Sequence, residues 1–275
     1  MIILEQGRYL LYAAMSCPFA HRVRMVRLLQ ADQLEDVIDL NFVTGQSAEE
    51  GFHFSGVPEP LFQAPSLKQV YHQANPDYVG RFTVPLLVDR TTRKMVDNES
   101  MDLAISLIKT TQDDKSALDL LPEGAEALAR DLSDKVTTAV YKYLFNPDPT
   151  AKQEVKKDLW AQFDHYEDLL GKQDHLMGST LSLPDLVLWA TLIRYDNVYA
   201  RQFGIEGKSL HKDYPNLKRF ARRIWNMPSK SKSGITLGED ANLPEIIRTY
   251  WQSGNLAPKA GNDPTSPPPE TLPVL

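Results

Sequence analysis

Cys17 is the residue whose type and setting best suit covalent chemistry. It is the single cysteine of the chain, and Pro18 follows it directly. Proline favours the first position of a helix and disfavours helical geometry in the residue before it. These preferences place Cys17 at a helix N-cap, where free amides and the helix dipole stabilise an anion. We therefore predict a reactive thiolate of lowered pKa, against the alternative of a buried structural cysteine.

The absence of a second cysteine limits what this thiol does. A mixed disulfide at Cys17 cannot be resolved within the chain, so an external thiol must attack it. A single thiol also excludes a multi-thiolate metal site, and the six histidines show no metal-ligand spacing together with Cys17. We expect no metal, and a reducing compartment.

The segments around Cys17 predict a β-α-β unit at residues 8–43. An apolar strand precedes the cysteine, and a second, parallel strand is expected at residues 37–43. On the helix between them, Arg22, Arg24 and Arg27 are expected to face solvent. His21 is interpreted as a structural or surface residue and not as a general base.

The next stretch, residues 44–80, has no hydrophobic periodicity and carries scattered glycines and prolines. Its aromatic residues favour a long packed loop over disorder. Strands at 83–89 and 94–96 and a helix at 101–109 then complete a predicted α/β domain at residues 1–110.

After a linker at residues 111–120, the pattern predicts an all-helical domain at residues 121–255. Helices are expected at 125–145, 151–170, 182–203, 215–227 and 243–251. The third of these begins with a serine followed by an aspartate three residues later, which is typical of an N-terminal cap. The proline-rich residues 256–275 are predicted to be a disordered tail.

The bulk properties exclude some classes of function. A net charge of −6 opposes binding to nucleic acid. The most apolar run, residues 181–193, is too short to span a bilayer. The N-terminus lacks the zones of a signal peptide, so the sequence predicts a cytoplasmic protein.

Several motifs, running in order from residue 9 to residue 251, resemble one family. They resemble the Xi class of the glutathione S-transferase superfamily, the glutathionyl-hydroquinone reductases. The matching segments are SCPFAHR at 16–22, YVGRFTVP at 78–85, DNES at 97–100, VYK at 140–142, LIRYDNVY at 192–199 and IRTY at 247–250. The resemblance implies a thioredoxin-like domain followed by a helical domain, with the site in the cleft between them, and a homodimer.

The resemblance also implies a set of glutathione-binding residues. The bond before Pro85 is cis in the family, and the backbone of Val84 pairs with the cysteinyl part of glutathione. Ser100 holds the γ-glutamyl carboxylate and Glu99 meets the ammonium group, although this pair also suits a plain helix cap. The remaining implied contacts are Arg81, Phe19, which stands where the family usually has tryptophan, and Phe52, the nearest counterpart of a second family tryptophan.

In the family, three tyrosines of the helical domain approach the thiol, and Tyr141, Tyr199 and Tyr250 occupy their positions. Half-buried aromatic packing is the plain alternative for these residues. Their hydroxyls would bind the oxygens of a hydroquinone, and Tyr199 and Tyr250 would assist catalysis with Cys17.

The implied reaction is the glutathione-dependent reduction of glutathionyl-hydroquinones through a Cys17–glutathione disulfide, with glutathione as co-substrate. One alternative is an omega-like thiol transferase or dehydroascorbate reductase, which shares the Cys-Pro thiol but lacks the tyrosine set. Another is a non-catalytic ligand-binding protein of the same fold, which predicts an unreactive Cys17.

Overall fold

The computed structural model describes residues 2–47, 49, 51–54, 56 and 58–272. These described residues form two compact units. Unit 1 comprises Met1–Leu118, Ser229–Ile235 and Ser253–Asn255, and unit 2 comprises Asp119–Pro228, Thr236–Gln252 and Leu256–Leu275. The first division lies within the predicted linker at 111–120. Ser229–Ile235 and Ser253–Asn255 also belong to unit 1, whereas the sequence predicted two domains that follow one another along the chain.

Unit 1 is an α/β unit. Its elements are β1 (Tyr9–Ala13), α1 (Pro18–Leu29), α2 (Ala31–Leu34), β2 (Ile38–Phe42), β3 (Gly45–Ser47), β4 (Gly51–His53), α3 (Leu67–Ala74), β5 (Leu86–Asp89), β6 (Lys94–Asp97) and α4 (Ser100–Thr111). The main sheet has the order β2-β1-β5-β6, with β1 parallel to β2 and antiparallel to β5. The thioredoxin-like α/β prediction is confirmed.

The register of this sheet brings two sequence motifs together. Tyr12 of β1 lies opposite Leu86 of β5. The end of β1 that leads to Cys17 therefore adjoins the start of β5, which Val84 and Pro85 precede. Because β5 begins only at Leu86, Pro85 occupies no position within the strand.

The prediction that the arginines of α1 face solvent is wrong. Arg22 and Arg24 are 1% exposed and Arg27 is 9% exposed, and α1 packs against α4. The guanidinium groups of Arg22 and Arg24 lie 5.0 Å from the ring centroids of Phe19 and Phe42, respectively. Arg27 donates to the backbone carbonyls of Ile38 and Glu35. Contacts with aromatic rings and hydrogen bonds to carbonyl groups therefore stabilise buried guanidinium groups that were expected to face solvent.

Residues 44–80, predicted to be a loop, contain regular structure. β3 and β4 form a hairpin, in which Gln46 lies opposite Phe52, and α3 follows. Between them, the buried carboxylate of Glu59 accepts from the Tyr12 hydroxyl at 2.6 Å and from the amides of Leu61 and Phe62. The sequence did not predict these strands because each is only three residues long, which is too short for a hydrophobic period to appear among the glycines and prolines.

Unit 2 is helical, which confirms the predicted second domain type. Its helices are α5 (Ala125–Leu132), α6 (Ala139–Phe145), α7 (Pro149–Leu170), α8 (Leu183–Arg194), α9 (Leu210–Asp213), α10 (Pro215–Trp225), α11 (Leu237–Ala241) and α12 (Leu243–Trp251). The predicted helix at 125–145 is interrupted by a π-helical turn at Ser133–Thr138. The predicted helix at 182–203 changes to a π-helical turn at Tyr195–Ala200, which ends it. Ser182 and Asp185 form the expected capping box of α8.

The predicted disordered tail makes definite contacts over residues 256–272, so the structure differs from that expectation. Leu256 and Ala257 are buried, and Pro258–Ala260 forms a 3₁₀ turn. Trp251 Nε1 donates to the Ser266 carbonyl at 3.0 Å. The side chain of Asn197 exchanges hydrogen bonds with the backbone of Leu272. Hydrogen bonds from side chains elsewhere in unit 2 therefore hold the tail in place, although its sequence has no hydrophobic periodicity.

Candidate active site residues of the two units

Cys17 lies at the N-cap of α1, with Pro18 at the first helical position. Its Sγ accepts from the Ala20 amide at 3.4 Å, and the side chain is partly buried. The approach of a backbone N–H to the sulfur is the contact that stabilises a thiolate at a helix N-terminus. This is the local geometry that the Cys-Pro sequence predicts.

The Cys17 thiol also donates a hydrogen bond to the Val84 carbonyl oxygen, at 3.4 Å. The Val84–Pro85 peptide bond is cis. Both residues are buried. The pairing of β1 with β5 brings Cys17 and Val84 into contact, although they are far apart in the sequence.

A group of hydroxyls and amides holds the segment before Val84. Tyr71 donates to the Thr83 carbonyl at 2.6 Å, and Tyr78 donates to the Arg81 carbonyl at 3.1 Å. Asn98 Nδ2 donates to both phenol oxygens, at 3.1 and 2.9 Å. This network joins the residues before Val84 to those before Glu99. Sequence reasoning missed it, although Tyr78 and Asn98 both lie in the matching motifs.

Arg22 is the buried cation nearest in sequence to the thiol. Burial lowers its pKa to about 10, while the charges of Cys17 and Glu99 raise it. Since electrostatic attraction is mutual, Arg22 favours the anionic form of the thiol. The sequence did not indicate this electrostatic effect, because Arg22 was predicted to face solvent. Its nearness to Cys17 in the chain was the only available signal.

The other predicted glutathione contacts occupy different environments in unit 1. Glu99 is exposed at the N-cap of α4, makes no side-chain capping bond, and is followed by the buried Ser100. Asp97 instead accepts from the Asn98 and Glu99 amides. Phe19 is partly exposed beneath the Arg22 guanidinium. Phe52 packs against the hydrophobic cluster that Cys17 also contacts, and Arg81 is exposed.

The three predicted tyrosines cluster in unit 2. The hydroxyls of Tyr141 and Tyr250 lie 2.5 Å apart and form a hydrogen bond. The ring of Tyr199 contacts those of Tyr141 and Tyr250 edge to face, each at 6.2 Å between centroids. Tyr199 and Tyr250 are buried, whereas Tyr141 is partly exposed. The structure therefore brings this set together and distinguishes one outer phenol from two inner ones.

Two members of this region were missed at the sequence level. Phe203 stacks against all three tyrosines, with centroids 5.4–6.1 Å apart; its spacing of one turn after Tyr199 was the available signal. Arg194 is fully buried, and its charge lowers the pKa of Tyr250. Burial and the Tyr199 charge outweigh that effect and raise the Tyr250 pKa well above its ordinary value.

Within the part of the chain that the structure describes, no group of three or more His, Cys, Asp or Glu residues is arranged to hold a metal ion. No described helix is long and apolar enough to cross a bilayer.

Comparison with known proteins gives consistent relatives. Residues 112–223 match the family model for the glutathione S-transferase C-terminal domain. The chain is 32% identical over 262 residues to glutathionyl-hydroquinone reductase YqjG of Escherichia coli (strain K12), covering 91% of this chain and 76% of the relative. It is 33% identical to the reductase PcpF of Sphingobium chlorophenolicum, covering 80% and 72%. It is 29% identical to the omega-like glutathione S-transferase 2 of Schizosaccharomyces pombe, covering 96% and 87%.

Solved structures agree with these relatives. The Xi glutathione S-transferase of Phanerochaete chrysosporium superposes with a TM-score of 0.83 at 32% identity, covering 98% of this chain and 93% of that one. The glutathione-bound YqjG of Escherichia coli K-12 gives a TM-score of 0.83 at 30% identity, covering 94% and 84%. The chain therefore belongs to the Xi class of the glutathione S-transferase superfamily, and it is a glutathione-dependent enzyme.

Proposed function

We propose that this protein reduces glutathionyl-hydroquinones with glutathione as co-substrate. The observation that carries the proposal is the setting of Cys17, whose sulfur lies 3.4 Å from the Ala20 amide and the Val84 carbonyl. The names of the two bacterial reductases support the substrate class. The glutathione-bound relative supports the co-substrate.

In the first half-reaction, the Cys17 thiolate attacks the sulfur of the glutathionyl group. A bond forms between the two sulfurs and the ring C–S bond breaks. Its electron pair passes to the ring, which takes up one proton and leaves as the hydroquinone. The products are free hydroquinone and a Cys17–glutathione disulfide, so the ring is reduced while the two sulfurs are oxidised to a disulfide.

In the second half-reaction, the thiolate of another glutathione attacks the Cys17 disulfide. Oxidised glutathione leaves and the Cys17 thiolate is restored. An external thiol is required because the chain contains no second cysteine.

The binding roles extend this proposal to named residues. Val84 pairs through its backbone with the cysteinyl part of glutathione, and Glu99 and Ser100 bind its γ-glutamyl end. Further glutathione contacts are Phe19, Phe52, Arg81 and Pro85. The hydroxyls of Tyr141, Tyr199 and Tyr250 bind the ring oxygens and polarise them as the C–S bond breaks.

The direct test is mass spectrometry of the protein after exposure to a glutathionylated hydroquinone without reduced glutathione. We expect a glutathione adduct on Cys17 and one equivalent of free hydroquinone. Addition of glutathione should then remove the adduct and yield oxidised glutathione. Release of hydroquinone from a protein that never carries the adduct would exclude this mechanism.

A thiol transferase activity of the omega type is the second candidate, and the omega-like relative in Schizosaccharomyces pombe favours it. Both reactions use Cys17, but only hydroquinone release involves the phenols of unit 2. The two activities are therefore separated by substitutions of those phenols. A homodimer and a cytoplasmic location stay predictions of the sequence.

A further inference from the structure

Residues 262–272, here called the tail strap, are held against the rest of unit 2 by hydrogen bonds that the proposed reaction does not use. These bonds join Trp251 Nε1 to the Ser266 carbonyl at 3.0 Å and hydroxyl at 3.2 Å, Asn262 Nδ2 to the Gln202 carbonyl at 3.1 Å, Arg201 Nη1 to the Glu270 carbonyl at 2.6 Å, and the Asn197 side chain to the Leu272 backbone at 2.8 and 3.3 Å. The tail strap is therefore attached at intervals along its whole length.

Two of these attachments lie close to the inner phenols. Asn197 belongs to the π-helical turn Tyr195–Ala200 and stands two residues before Tyr199. Trp251 is the last residue of α12 and directly follows Tyr250. The rings of the two phenols lie 6.2 Å apart, edge to face. The tail strap therefore joins the two chain segments that carry them.

The attachment at Asn197 fixes the π-helical turn from outside its own helix. Asn197 is 3% exposed, and its amide both donates to and accepts from the backbone of Leu272, which lies 75 positions away in the chain. A π-helical turn is a rare conformation that is found mostly as a single turn, frequently at functional sites. Loss of the Leu272 contact would leave a buried amide without these partners, at a cost in free energy. The position of Tyr199 thus depends on the tail strap.

The attachment at Trp251 fixes the end of α12. The last carbonyl groups of a helix lack partners within it, and helix ends fray. Here the terminal indole N–H donates to both the carbonyl and the hydroxyl of Ser266. Tyr250, the preceding residue, is 2% exposed, and its hydroxyl lies 2.5 Å from that of Tyr141. A frayed end would disturb this pair of hydroxyls.

We propose that Asn197 and Trp251 are positioning residues, which hold Tyr199 and Tyr250 in place for the aromatic substrate by fastening the tail strap to the π-helical turn and to α12. They act through the phenols and do not contact the substrate. The inference rests on the proposed function, since it takes the phenols as the groups that bind the ring oxygens. Precise placement matters there because hydrogen-bond donors stabilise developing charge only when they are already in position.

The first measurement is hydrogen–deuterium exchange by mass spectrometry on the wild-type chain and its variants, in peptides that cover Tyr195–Ala200 and Leu243–Trp251. Deletion of residues 262–275 should accelerate exchange in both peptides by at least about tenfold, because tertiary hydrogen bonds keep such segments closed. Asn197→Ala and Trp251→Phe should each reproduce part of this effect. Asn197→Ala made in the shortened chain should add less than about twofold, since its partner Leu272 is then absent.

Steady-state kinetics then test the positioning role. Asn197→Ala and Trp251→Phe should each lower kcat for hydroquinone release by about tenfold, a fraction of the loss that a misplacement of about 1 Å causes. Thiol transfer from a small glutathione mixed disulfide should stay within about twofold of wild type, because that reaction does not use the phenols. A purely structural role would lower both activities together.

Two matched controls separate positioning from stability. Trp189→Phe makes the same change in a buried indole of α8, whose Nε1 donates to the Ala221 carbonyl at 2.9 Å. It should destabilise the fold but leave the ratio of the two activities unchanged. Thr265→Ala alters a residue of the tail strap whose hydroxyl donates to Asp263 at 2.7 Å, and it should behave as the wild type.

Unchanged exchange in either peptide after deletion of the tail strap would overturn the inference. Equal losses of both activities in Asn197→Ala and Trp251→Phe would do the same. If one of these variants does not fold, the others decide by the same criteria.

The exchange measurements need neither substrate nor Cys17. Faster exchange in the variants of a protein that releases no hydroquinone would reject the proposed reaction alone. Hydroquinone release by the wild type with unchanged exchange in the variants would reject the role of the tail strap alone.

Discussion

The thiol region of unit 1 and the phenol region of unit 2 both combine an acidic group with a buried arginine. In unit 1 the partners are Cys17 and Arg22, and in unit 2 they are Tyr250 and Arg194. The thiol is partly exposed and receives a backbone N–H at the start of an α-helix. The phenol is buried among aromatic rings, and its pKa is raised.

This difference shows that a buried arginine does not by itself determine whether a neighbouring thiol or phenol is ionised. At Cys17, the helix N-terminus and the arginine both favour the anion, which is the nucleophilic form. At Tyr250, desolvation outweighs the arginine, so the group remains a hydrogen-bond donor. The thiol region therefore favours an anion, whereas the phenol region keeps a protonated hydrogen-bond donor.

The largest expected effect is that of Cys17→Ser. Removing the nucleophile should lower turnover of a glutathionylated hydroquinone by at least about a thousandfold, since a serine hydroxyl forms no disulfide. Steady-state release of hydroquinone measures it, with the far-ultraviolet circular dichroism spectrum as the folding control. Residual turnover within tenfold of wild type would remove the distinction between the two regions.

The phenols should affect only one of the two candidate reactions. We expect Tyr250→Phe to lower kcat for hydroquinone release by about a hundredfold, because the ring oxygens lose a hydrogen-bonded donor. A smaller loss is expected for Tyr199→Phe. Thiol transfer from a small glutathione mixed disulfide should stay within twofold of wild type. Tyr166→Phe, a buried tyrosine of α7, is the matched control.

If both activities fell equally in Tyr250→Phe, the phenols would act on the fold or on glutathione and not on the ring. The assignment of the aromatic substrate to unit 2 would then be wrong.

Arg22→Met tests the cation beside the thiol. Loss of the positive charge disfavours the thiolate, so the thiol pKa should rise by about one unit. The pH profile of Cys17 alkylation by iodoacetamide should move to higher pH by the same amount. Arg22→Lys should leave the profile near its original position, and an unshifted profile in Arg22→Met would show that the helix N-terminus suffices.

Asn98→Ala tests the network that supports the Val84 segment. Loss of the amide removes hydrogen bonds to Tyr71 and Tyr78, which should lower the free energy of unfolding by about 1–2 kcal/mol. The KM for glutathione should rise several-fold while kcat changes less. Chemical denaturation and steady-state kinetics measure the two effects, and an unchanged KM would confine this network to stability.

The smallest effect concerns Asp89, which lies at the end of β5 away from Val84. Burial raises the pKa of Asp89, but hydrogen bonds from Thr92 and Arg8 outweigh it and leave the pKa below its ordinary value. Asp89 therefore stabilises the fold above the unfolded-state pKa of about 3.9, and this contribution is lost as the pH falls through the lower folded-state value.

Asp89→Asn should accordingly cost about 1 kcal/mol at neutral pH, and the difference from wild type should shrink as the pH falls below 4. Thermal unfolding at several pH values measures this trend. A difference that grew on acidification would contradict the assigned direction.

Much of the thiol site was predictable because its signals are local. Cys17 and Pro18 are adjacent, and the preferences of both residues agree on an N-cap. The capping box at Ser182 and Asp185 is similarly local. By contrast, Arg22, Arg24 and Arg27 were predicted to face solvent because a charged side chain on a helix usually does. Only tertiary packing, including that of α1 against α4, reverses that rule.

The order in residues 44–80 and in the tail was obscured for a related reason. The strands β3 and β4 are three residues long, which is too short for a period to appear. The tail is held by single contacts, such as that of Trp251 with Ser266. Hydrogen bonds between distant residues leave no periodic pattern in the chain.

The sequence by itself determined the family, the succession of an α/β and a helical unit, and a monothiol that needs an external thiol. Those conclusions depend on residue types and on neighbours in the chain. Only the tertiary structure decided that Arg22 and Arg194 are buried, and that Tyr141 is the partly exposed phenol hydrogen-bonded to Tyr250. Burial and the distance between residues 109 positions apart depend on the packing of whole elements, so the environment of Cys17 and Tyr250 is a property of the fold.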